Sequence, residues 1–256
     1  MTLDPSVGNQ PSVSIVLPVF NEEHIVEKST EHVARFLSSL PHPDWNLVIA
    51  DNGSTDKTRE RGQELAAMMH RVSYLRTERK GVGAALRMAW VSSLSDVLGY
   101  VDADLPFRLE TFDAMWRALQ EGYDIATGSR YVEGGGYETT WLRKVLSRLH
   151  SYWMQLLFGC KFSDHCGIKA IKRQVFLDLL PFLRSDDWFF GTELLVWAER
   201  FGYRIKEVPV QARNDRSRRS KVNLPLVTIN YIRCELRLKI LLVRMNHGTL
   251  IASPLG

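Results

Sequence analysis

The chain has little of what marks secreted or membrane-spanning proteins. It contains three cysteines, Cys160, Cys166 and Cys234, whose odd number and irregular spacing do not make a disulfide framework. A reduced, cytoplasmic chain is the simpler expectation. Residues 1–11 lack the basic start and apolar centre of a signal peptide, so we interpret them as a flexible N-terminus.

The chain also has few long apolar runs and only a small excess of positive charge. A membrane-spanning helix needs about 18 residues with few or no charges. The most apolar late stretch, Leu224–Met245, is interrupted by five charged side chains, namely Arg233, Glu235, Arg237, Lys239 and Arg244. Lysine and arginine total 33 against 29 acidic residues, an excess too small and diffuse to predict a nucleic-acid partner. We expect a soluble protein, or one bound peripherally at the cytoplasmic face of a membrane.

The first half of the chain alternates short apolar runs with longer amphipathic segments. Strands are predicted at Ser12–Pro18, Asn46–Asp51, Val72–Arg76, Val97–Asp102 and Tyr123–Gly128, separated by helices at Glu22–Leu40, Asp56–Met69, Val82–Ser93 and Leu109–Gln120. This order predicts an α/β fold with a mostly parallel central sheet flanked by helices. Ligands of such sheets bind beyond the carboxyl ends of the strands.

The second half is less regular. Its predicted helices are Trp141–Phe158, Val175–Leu183 and Gly191–Phe201, its predicted strands are Gly167–Lys172 and Arg204–Val210, and Gly134–Gly136 is interpreted as a flexible loop. Trp141–Phe158 has more apolar surface than a solvated helix needs, and its basic residues favour an interfacial helix, with a core helix as the alternative. The tail is interpreted as a helix on an anionic bilayer, although residues 232–240 alternate as a strand would.

Paired carboxylates follow the fourth predicted strand. Asp102 and Asp104 are two residues apart, so both can share one Mg²⁺ or Mn²⁺ ion, which prefer oxygen ligands and keep waters and substrate phosphates. A solvated turn is the alternative for so short a motif.

Other strand ends carry candidate binding residues. Asp51 can accept hydrogen bonds from a nucleobase, and Ile49 and Phe20 can pack against the ring of that base. Glu22 can accept a hydrogen bond from a ribose hydroxyl. The alternative is that these residues only form turns and begin helices. Lys80 lies in a basic, glycine-rich helix start that suits phosphates. The same segment does not complete G-x-G-x-x-G, which disfavours a dinucleotide oxidoreductase.

Several motifs in order resemble glycosyltransferase family 2 with its GT-A fold: PVFNEE, ADNGSTD, GVGAALRMAW, YVDADLP and TGSRY. Asp164–Lys169 is similar to the D-x-x-C-G-F-K segment of polyprenyl-phosphate sugar transferases. Trp188–Leu195 is similar to their W-F-F-D-T-E-L-L helix start, and Gly202–Val210 to the strand that follows. The likeness covers residues 12–222, which we treat as one GT-A domain, followed by an amphipathic tail at 223–256.

The resemblance implies an inverting enzyme of the dolichyl-phosphate mannose or glucose synthase type, which moves one sugar from a nucleotide-diphosphate donor to a polyprenyl phosphate. It implies metal binding by Asp102 and Asp104, and catalytic roles for Asp104, Arg130 and Glu193. Implied substrate contacts are Pro18, Phe20, Glu22, Ile49 and Asp51 around the nucleoside, Asp102 and Ala103 at the donor, Arg216 and Lys221 in a closing loop, Arg143 and Arg148 at the acceptor phosphate, and Lys169 as in glucosyl-type relatives.

Three positions depart from the family pattern. Asn52 and Phe20 stand where Asp and Tyr are usual, and both changes are mild. Gly191 stands where glucosyl-type relatives carry an aspartate that could act as a general base. An acceptor phosphate has a second pKa of about 6 and needs no such base. Two alternatives remain: a soluble family 2 enzyme with a hydroxyl acceptor, and a non-catalytic paralogue that binds nucleotide sugars.

Overall fold

The computed structural model describes residues 11–40, 44–165, 167–213 and 224–246. Its strands are β1 (Val13–Val19), β2 (Trp45–Asp51), β3 (Val72–Arg76), β4 (Val97–Tyr100), β5 (Ile125–Ser129), β6 (Gly136–Glu138), β7 (Lys169–Lys172), β8 (Ile205–Pro209) and β9 (Gln211–Arg213). Its helices are α1 (Val26–Ser39), α2 (Thr58–Met68), α3 (Val82–Ser92), α4 (Thr111–Gln120), α5 (Trp141–Phe158), α6 (Arg173–Leu179), α7 (Phe190–Arg200) and α8 (Leu224–Asn246).

Seven strands form one sheet in the order β3-β2-β1-β4-β7-β5-β8. All neighbours are parallel except β7, which runs antiparallel between β4 and β5. The register pairs Val19 with Asp51 and Tyr100 with Lys169, so the carboxyl ends of β1, β2 and β4 meet the start of β7 at one edge. The predicted mostly parallel α/β fold is confirmed. We call this edge the strand-end edge.

Two apolar layers cover the sheet. Helices α1, α2 and α4 pack on one face, where Leu37, Leu65 and Trp116 are buried. Helices α3, α6 and α7 pack on the other, and Leu238 and Leu242 of α8 join that layer. The tail helix is therefore packed against the domain along part of its length. Burying two apolar layers is what fixes so regular an arrangement.

Some predicted boundaries differ from the structure. Helix α1 begins at Val26 and not at Glu22, because the amides of Glu22 and Glu23 donate to Thr58 Oγ1 at 2.7 Å and Asp56 Oδ2 at 3.3 Å. Strand β4 ends at Tyr100, two residues before its predicted end at Asp102.

The Gly134–Gly136 segment is not wholly a loop. Its last residue begins β6, which pairs in parallel with β9 in a small second sheet. Among the described residues, the tail is a helix and not a strand, and no helix is long and apolar enough to cross a membrane.

Candidate active site

The acid pair lies in a tight turn at the strand-end edge. The Leu105 amide donates to the Asp102 carbonyl at 2.9 Å, and Leu105 adopts a left-handed φ of +47°. Ser29 Oγ of α1 donates to the Ala103 carbonyl at 2.6 Å, which ties the turn to the nearest helix. Asp104 is exposed at the surface, whereas Asp102 is partly buried at the end of the sheet.

Asp102 has an oxygen suited to a cation. Its Oδ1 is buried and has no hydrogen-bond partner among the described residues. Burial, with a smaller contribution from Asp104, raises the pKa of Asp102 to about 7, against an opposing effect of Lys169. Gly167 lies so close that a Cβ there would overlap Asp102 Oδ2. Replacing a proton with a divalent cation would satisfy both the orphaned oxygen and the repulsion between the acids.

The donor set of this turn also fits such a cation. Within the described part of the chain, no three His, Cys, Asp or Glu side chains converge as metal ligands. Two carboxylates are a common protein share for Mg²⁺, whose other ligands are waters and substrate phosphates. Asp102 and Asp104 are therefore the residues that would hold the metal.

Asp51 is fully buried and held from three sides. Oδ1 accepts the Ser54 amide at 2.7 Å, and Oδ2 accepts Tyr74 Oη at 2.6 Å and Arg76 Nη1 at 3.1 Å. Burial first, and then Asp51, raises the pKa of Tyr74 well above its ordinary value. Tyr74 and Arg76 were not predicted as site residues. Their two-residue spacing on β3, which places both side chains on one face of the strand, was the available signal.

The other predicted nucleoside contacts surround this cluster unevenly. Phe20 is 39% exposed and Glu22 is partly exposed, whereas Pro18 and Ile49 are buried. Ile49 packs in the core near helix α2, so it forms the floor of the region. Asn21 connects the two loops, because its amide donates to Ser54 Oγ at 2.9 Å and its Oδ1 accepts the Thr55 amide at 2.8 Å.

Arg130 extends from the end of β5 and is bound by Asp164. Its Nε donates to Oδ2 and its Nη2 to Oδ1 of Asp164, each at 2.7 Å. The guanidinium carbon lies 5.4 Å from the ring centre of Tyr131 and 4.9 Å from that of Tyr137. Burial alone would raise the pKa of Asp164, but the hydrogen bonds and charge of Arg130 hold it below its ordinary value.

Lys169 and Gly191 meet beneath the acid pair. Lys169 is fully buried, with Nζ 5.7 Å from the ring centre of Tyr100. A Cβ added at Gly191 would lie 3.0 Å from Tyr100 Oη and 3.3 Å from Lys169 Nζ. Lys169 thus supports Asp102 electrostatically from within the core, and the space next to Gly191 is already filled.

Glu193 contacts a loop. It is 3% exposed, and its Oε2 accepts the amides of Arg184 and Ser185 at 2.9 and 2.8 Å. Burial raises its pKa against these bonds. Gly81 and Gly83 press on the backbone of the same loop at Asp186 and would clash there with any Cβ. The glycines of this helix start therefore serve close packing, while Lys80 is exposed beside them.

The two arginines predicted to contact the acceptor phosphate lie on helix α5. Arg143 and Arg148 are exposed on α5, and the Arg148 guanidinium lies 5.0 Å from the Tyr131 ring centre, which it shares with Arg130. Arg216 and Lys221 lie outside the described residues.

The chain is similar to known proteins in sequence and in fold. A model of the family described as "Glycosyl transferase family 2" matches residues 14–180. The chain is 34% identical over 202 residues to glycosyltransferase AglD of Haloferax volcanii, covering 77% of this chain and 32% of that protein. It is 33% identical over 137 residues to dolichol-phosphate mannosyltransferase of Pyrococcus furiosus, covering 53% and 38%. The chain thus spans about a third of the length of these two relatives.

A third relative is matched over most of its length. Polyprenol monophosphomannose synthase of Mycolicibacterium smegmatis is 30% identical over 206 residues, which are 77% of this chain and 75% of that protein. Among solved structures, glucosyl-3-phosphoglycerate synthase of Mycobacterium tuberculosis, in complex with Mn²⁺, UDP and glucosyl-3-phosphoglycerate, aligns with a TM-score of 0.66. That alignment has 21% sequence identity and covers 89% of this chain and 80% of the other, which establishes a common fold.

Proposed function

Because the chain belongs to glycosyl transferase family 2, we propose that it moves one sugar from a nucleotide-diphosphate sugar to a polyprenyl phosphate. The observation that carries the proposal is the acid pair at the strand-end edge, where buried Asp102 Oδ1 has no hydrogen-bond partner among the described residues. The names of two relatives, a dolichol-phosphate mannosyltransferase and a polyprenol monophosphomannose synthase, support the acceptor class.

The donor lies along the strand-end edge in this proposal. Phe20, Glu22 and the loop after Asp51 would face the nucleoside, and Asp102 and Asp104 would hold Mg²⁺ or Mn²⁺. When bound, the ion supplies Lewis-acid stabilisation of the leaving diphosphate. Arg130 donates charge-assisted hydrogen bonds to the same group. Exposed Lys80 would add positive charge to this group, and Arg216 and Lys221 are kept as donor contacts on the resemblance of their sequence alone.

The reaction is a single displacement. An oxygen of the acceptor phosphate attacks the anomeric carbon, the bond from that carbon to the diphosphate breaks, and the nucleoside diphosphate leaves with the electron pair. The acceptor is already largely dianionic near pH 7, since its second pKa is about 6. Alignment and electrostatic preorganisation then supply most of the rate enhancement.

The surroundings of Gly191 support a phosphate acceptor over a hydroxyl. A hydroxyl nucleophile needs a base, and Gly191 offers no carboxylate. Glu193 accepts two backbone amides of the Arg184–Ser185 loop, which supports a role in orienting that loop. Its predicted contact with the sugar remains part of the proposal, as does the contact of Lys169 with substrate.

A membrane surface is the expected location of the acceptor. Helix α5 exposes eight large apolar side chains, namely Trp141, Leu142, Val145, Leu146, Leu149, Tyr152, Trp153 and Leu156. Arg143 and Arg148 are exposed on the same helix. An apolar face with basic residues is typical of helices that lie in the plane of an anionic bilayer, so we propose peripheral binding at the cytoplasmic face.

A donor panel tests the proposal. Purified protein is incubated with UDP-glucose, UDP-N-acetylglucosamine or GDP-mannose labelled in the sugar, polyprenyl phosphate in vesicles, and Mn²⁺ or EDTA. We expect one donor to give labelled lipid that disappears with EDTA and in the Asp104→Asn variant. Transfer to a soluble hydroxyl acceptor, or nucleotide-sugar binding without any transfer, would instead establish one of the two alternatives.

A further inference from the structure

We propose that Asp164 is a positioning residue, which fixes the guanidinium of Arg130 so that it faces the departing diphosphate. The inference rests on the proposed function, because it takes Arg130 as the cation that meets that group. Asp164 begins the segment that is similar to polyprenyl-phosphate sugar transferases, and nothing in the sequence pairs it with Arg130, 34 positions earlier.

Three hydrogen bonds join the two residues. Besides the two side-chain bonds of 2.7 Å, the Arg130 amide donates to Asp164 Oδ2 at 2.8 Å. The carboxylate occupies the edge of the guanidinium that carries Nε and Nη2, so the corner that carries Nη1 points away from it. A bidentate pair of this kind fixes the plane of the guanidinium as well as its position.

Asp164 is itself rigidly held. Its side chain is fully buried, and its Oδ1 also accepts the His165 amide at 2.8 Å. Glu207 on β8 accepts the Asp164 amide at 3.1 Å, together with the amide and hydroxyl of Ser163 at 3.0 and 2.7 Å. The segment before β7 is thereby anchored to the edge strand of the sheet, and the carboxylate has little freedom to follow a moving arginine.

Two tyrosine rings lie beside the guanidinium of Arg130. Tyr131 and Tyr137 lie near the guanidinium of Arg130, as given above, and Arg148 approaches the same Tyr131 ring. Asp164, Tyr131 and Tyr137 together make a site for one planar cation, which we call the guanidinium socket. Without the carboxylate, a largely buried arginine beside a second arginine would lose its charge partner, which is strongly unfavourable.

Substitution and chemical rescue test the proposal. We expect Asp164→Asn, which keeps the shape and removes the charge, to lower kcat/KM for the donor by at least about tenfold. Arg130→Ala should lose more, and added methylguanidinium should restore at least part of that loss. The double variant Arg130→Ala/Asp164→Ala should show no restoration, because the socket has lost its anion.

The matched control is Asp124→Asn. Asp124 pairs with Lys172 at 3.1 Å near the opposite end of the sheet, so this variant removes the charge of a more exposed ion pair away from the site. Its donor kcat/KM should stay within about twofold of wild type. If Asp164→Asn behaves like this control, or if rescue is equal with and without Asp164, the positioning role is overturned.

A binding measurement separates this proposal from the proposed function. Methylguanidinium should raise the melting temperature of Arg130→Ala and leave that of Arg130→Ala/Asp164→Ala unchanged, whether or not any sugar transfer occurs. Equal shifts in both variants would overturn the socket. Full transfer activity in Arg130→Ala, with the thermal shift present, would instead refute the role of Arg130 in the proposed reaction.

Discussion

The strand-end edge and the helix pair α5–α8 differ in how far their side chains are buried and bonded within the chain. At the edge, Asp51 and Asp164 are fully buried, and each accepts at least three hydrogen bonds from within the chain. On α8, by contrast, large apolar side chains are exposed at Ile229, Ile232, Leu236, Ile240 and Val243, and α5 exposes eight more. Large exposed apolar patches mark surfaces that meet a membrane or another molecule.

Polar contacts connect helices α5 and α8. Glu235 of α8 is 2% exposed and accepts Trp153 Nε1 at 3.1 Å, while His150 Nε2 lies 2.7 Å from its other oxygen. Lys239 Nζ donates to the Leu157 carbonyl at 2.5 Å. Polar contacts thus join the two helices. Leu238 and Leu242 of α8 pack on the domain, whereas most large apolar side chains of α5 are exposed. Asp51 and Asp164 of the strand-end edge therefore have their partners within the chain, whereas α5 and α8 leave much of their apolar surface exposed.

The largest expected effect is at the strand-end edge. Asp104→Ala removes one of the two carboxylates of the acid pair, and we expect sugar transfer to fall at least about a hundredfold, the cost of losing one preorganised electrostatic contact. Initial rates of labelled lipid formation measure this. Glu121→Ala, an exposed acid after α4, is the control and should leave the rate unchanged. An Asp104→Ala enzyme with wild-type rates would contradict the metal assignment.

A smaller effect is expected at the helix pair. Leu156 is 82% exposed on α5, and Leu156→Glu should weaken binding to anionic vesicles at least about tenfold, since burying a leucine contributes roughly 1.5–3 kcal/mol. Vesicle co-sedimentation measures it. Leu94→Glu is matched in exposure, at 88%, and lies away from both helices. Equal vesicle binding by the two variants would remove the case for a membrane-facing α5.

The third expected effect concerns pH and stability. Burial lowers the pKa of His165 to about 3 in the folded chain, against 6.5 ordinarily, although Asp164 opposes the shift. Below pH 6.5 the unfolded state gains a proton that the folded state does not, so stability falls as pH decreases from 6.5 toward 3. Between pH 7 and 5 we expect His165 to account for about 1–2 kcal/mol of this loss.

Urea denaturation of wild type and His165→Asn measures that contribution. The variant cannot take up the proton, so its free energy of unfolding should depend less on pH over this interval. Exposed His24 provides the control, and His24→Asn should keep the wild-type dependence. The same pH dependence in all three proteins would mean that His165 titrates normally.

Local patterns predicted most of the fold. Strand β3 and helix α5 have the predicted bounds, because a short apolar segment and an amphipathic repeat are each signals within one stretch of sequence. The Thr140 side chain caps α5, and Gly159 ends it in a left-handed conformation. The pairing of β6 with β9 joins residues about 75 positions apart and has no local signal.

The sequence indicated the carboxylates of the candidate site, but not the residues that they contact. Asp51 ends β2, Asp102 and Asp104 come just after β4, and the carboxyl ends of parallel strands converge by topology alone. The partners of these acids come from other segments, as Tyr74 and Arg76 do for Asp51. Glu193 was expected near the sugar, but its hydrogen bonds to the Arg184–Ser185 loop depend on a backbone path that composition does not specify.

Manganese binding tests the central claim most directly. Electron paramagnetic resonance counts free Mn²⁺ as protein is added in the presence of the nucleoside diphosphate of the active donor. We expect wild type to bind a single Mn²⁺ per chain, and Asp102→Asn/Asp104→Asn, folded by circular dichroism, to bind none. Unchanged Mn²⁺ binding by the double variant would contradict the claim that these two carboxylates hold the metal at the sugar donor.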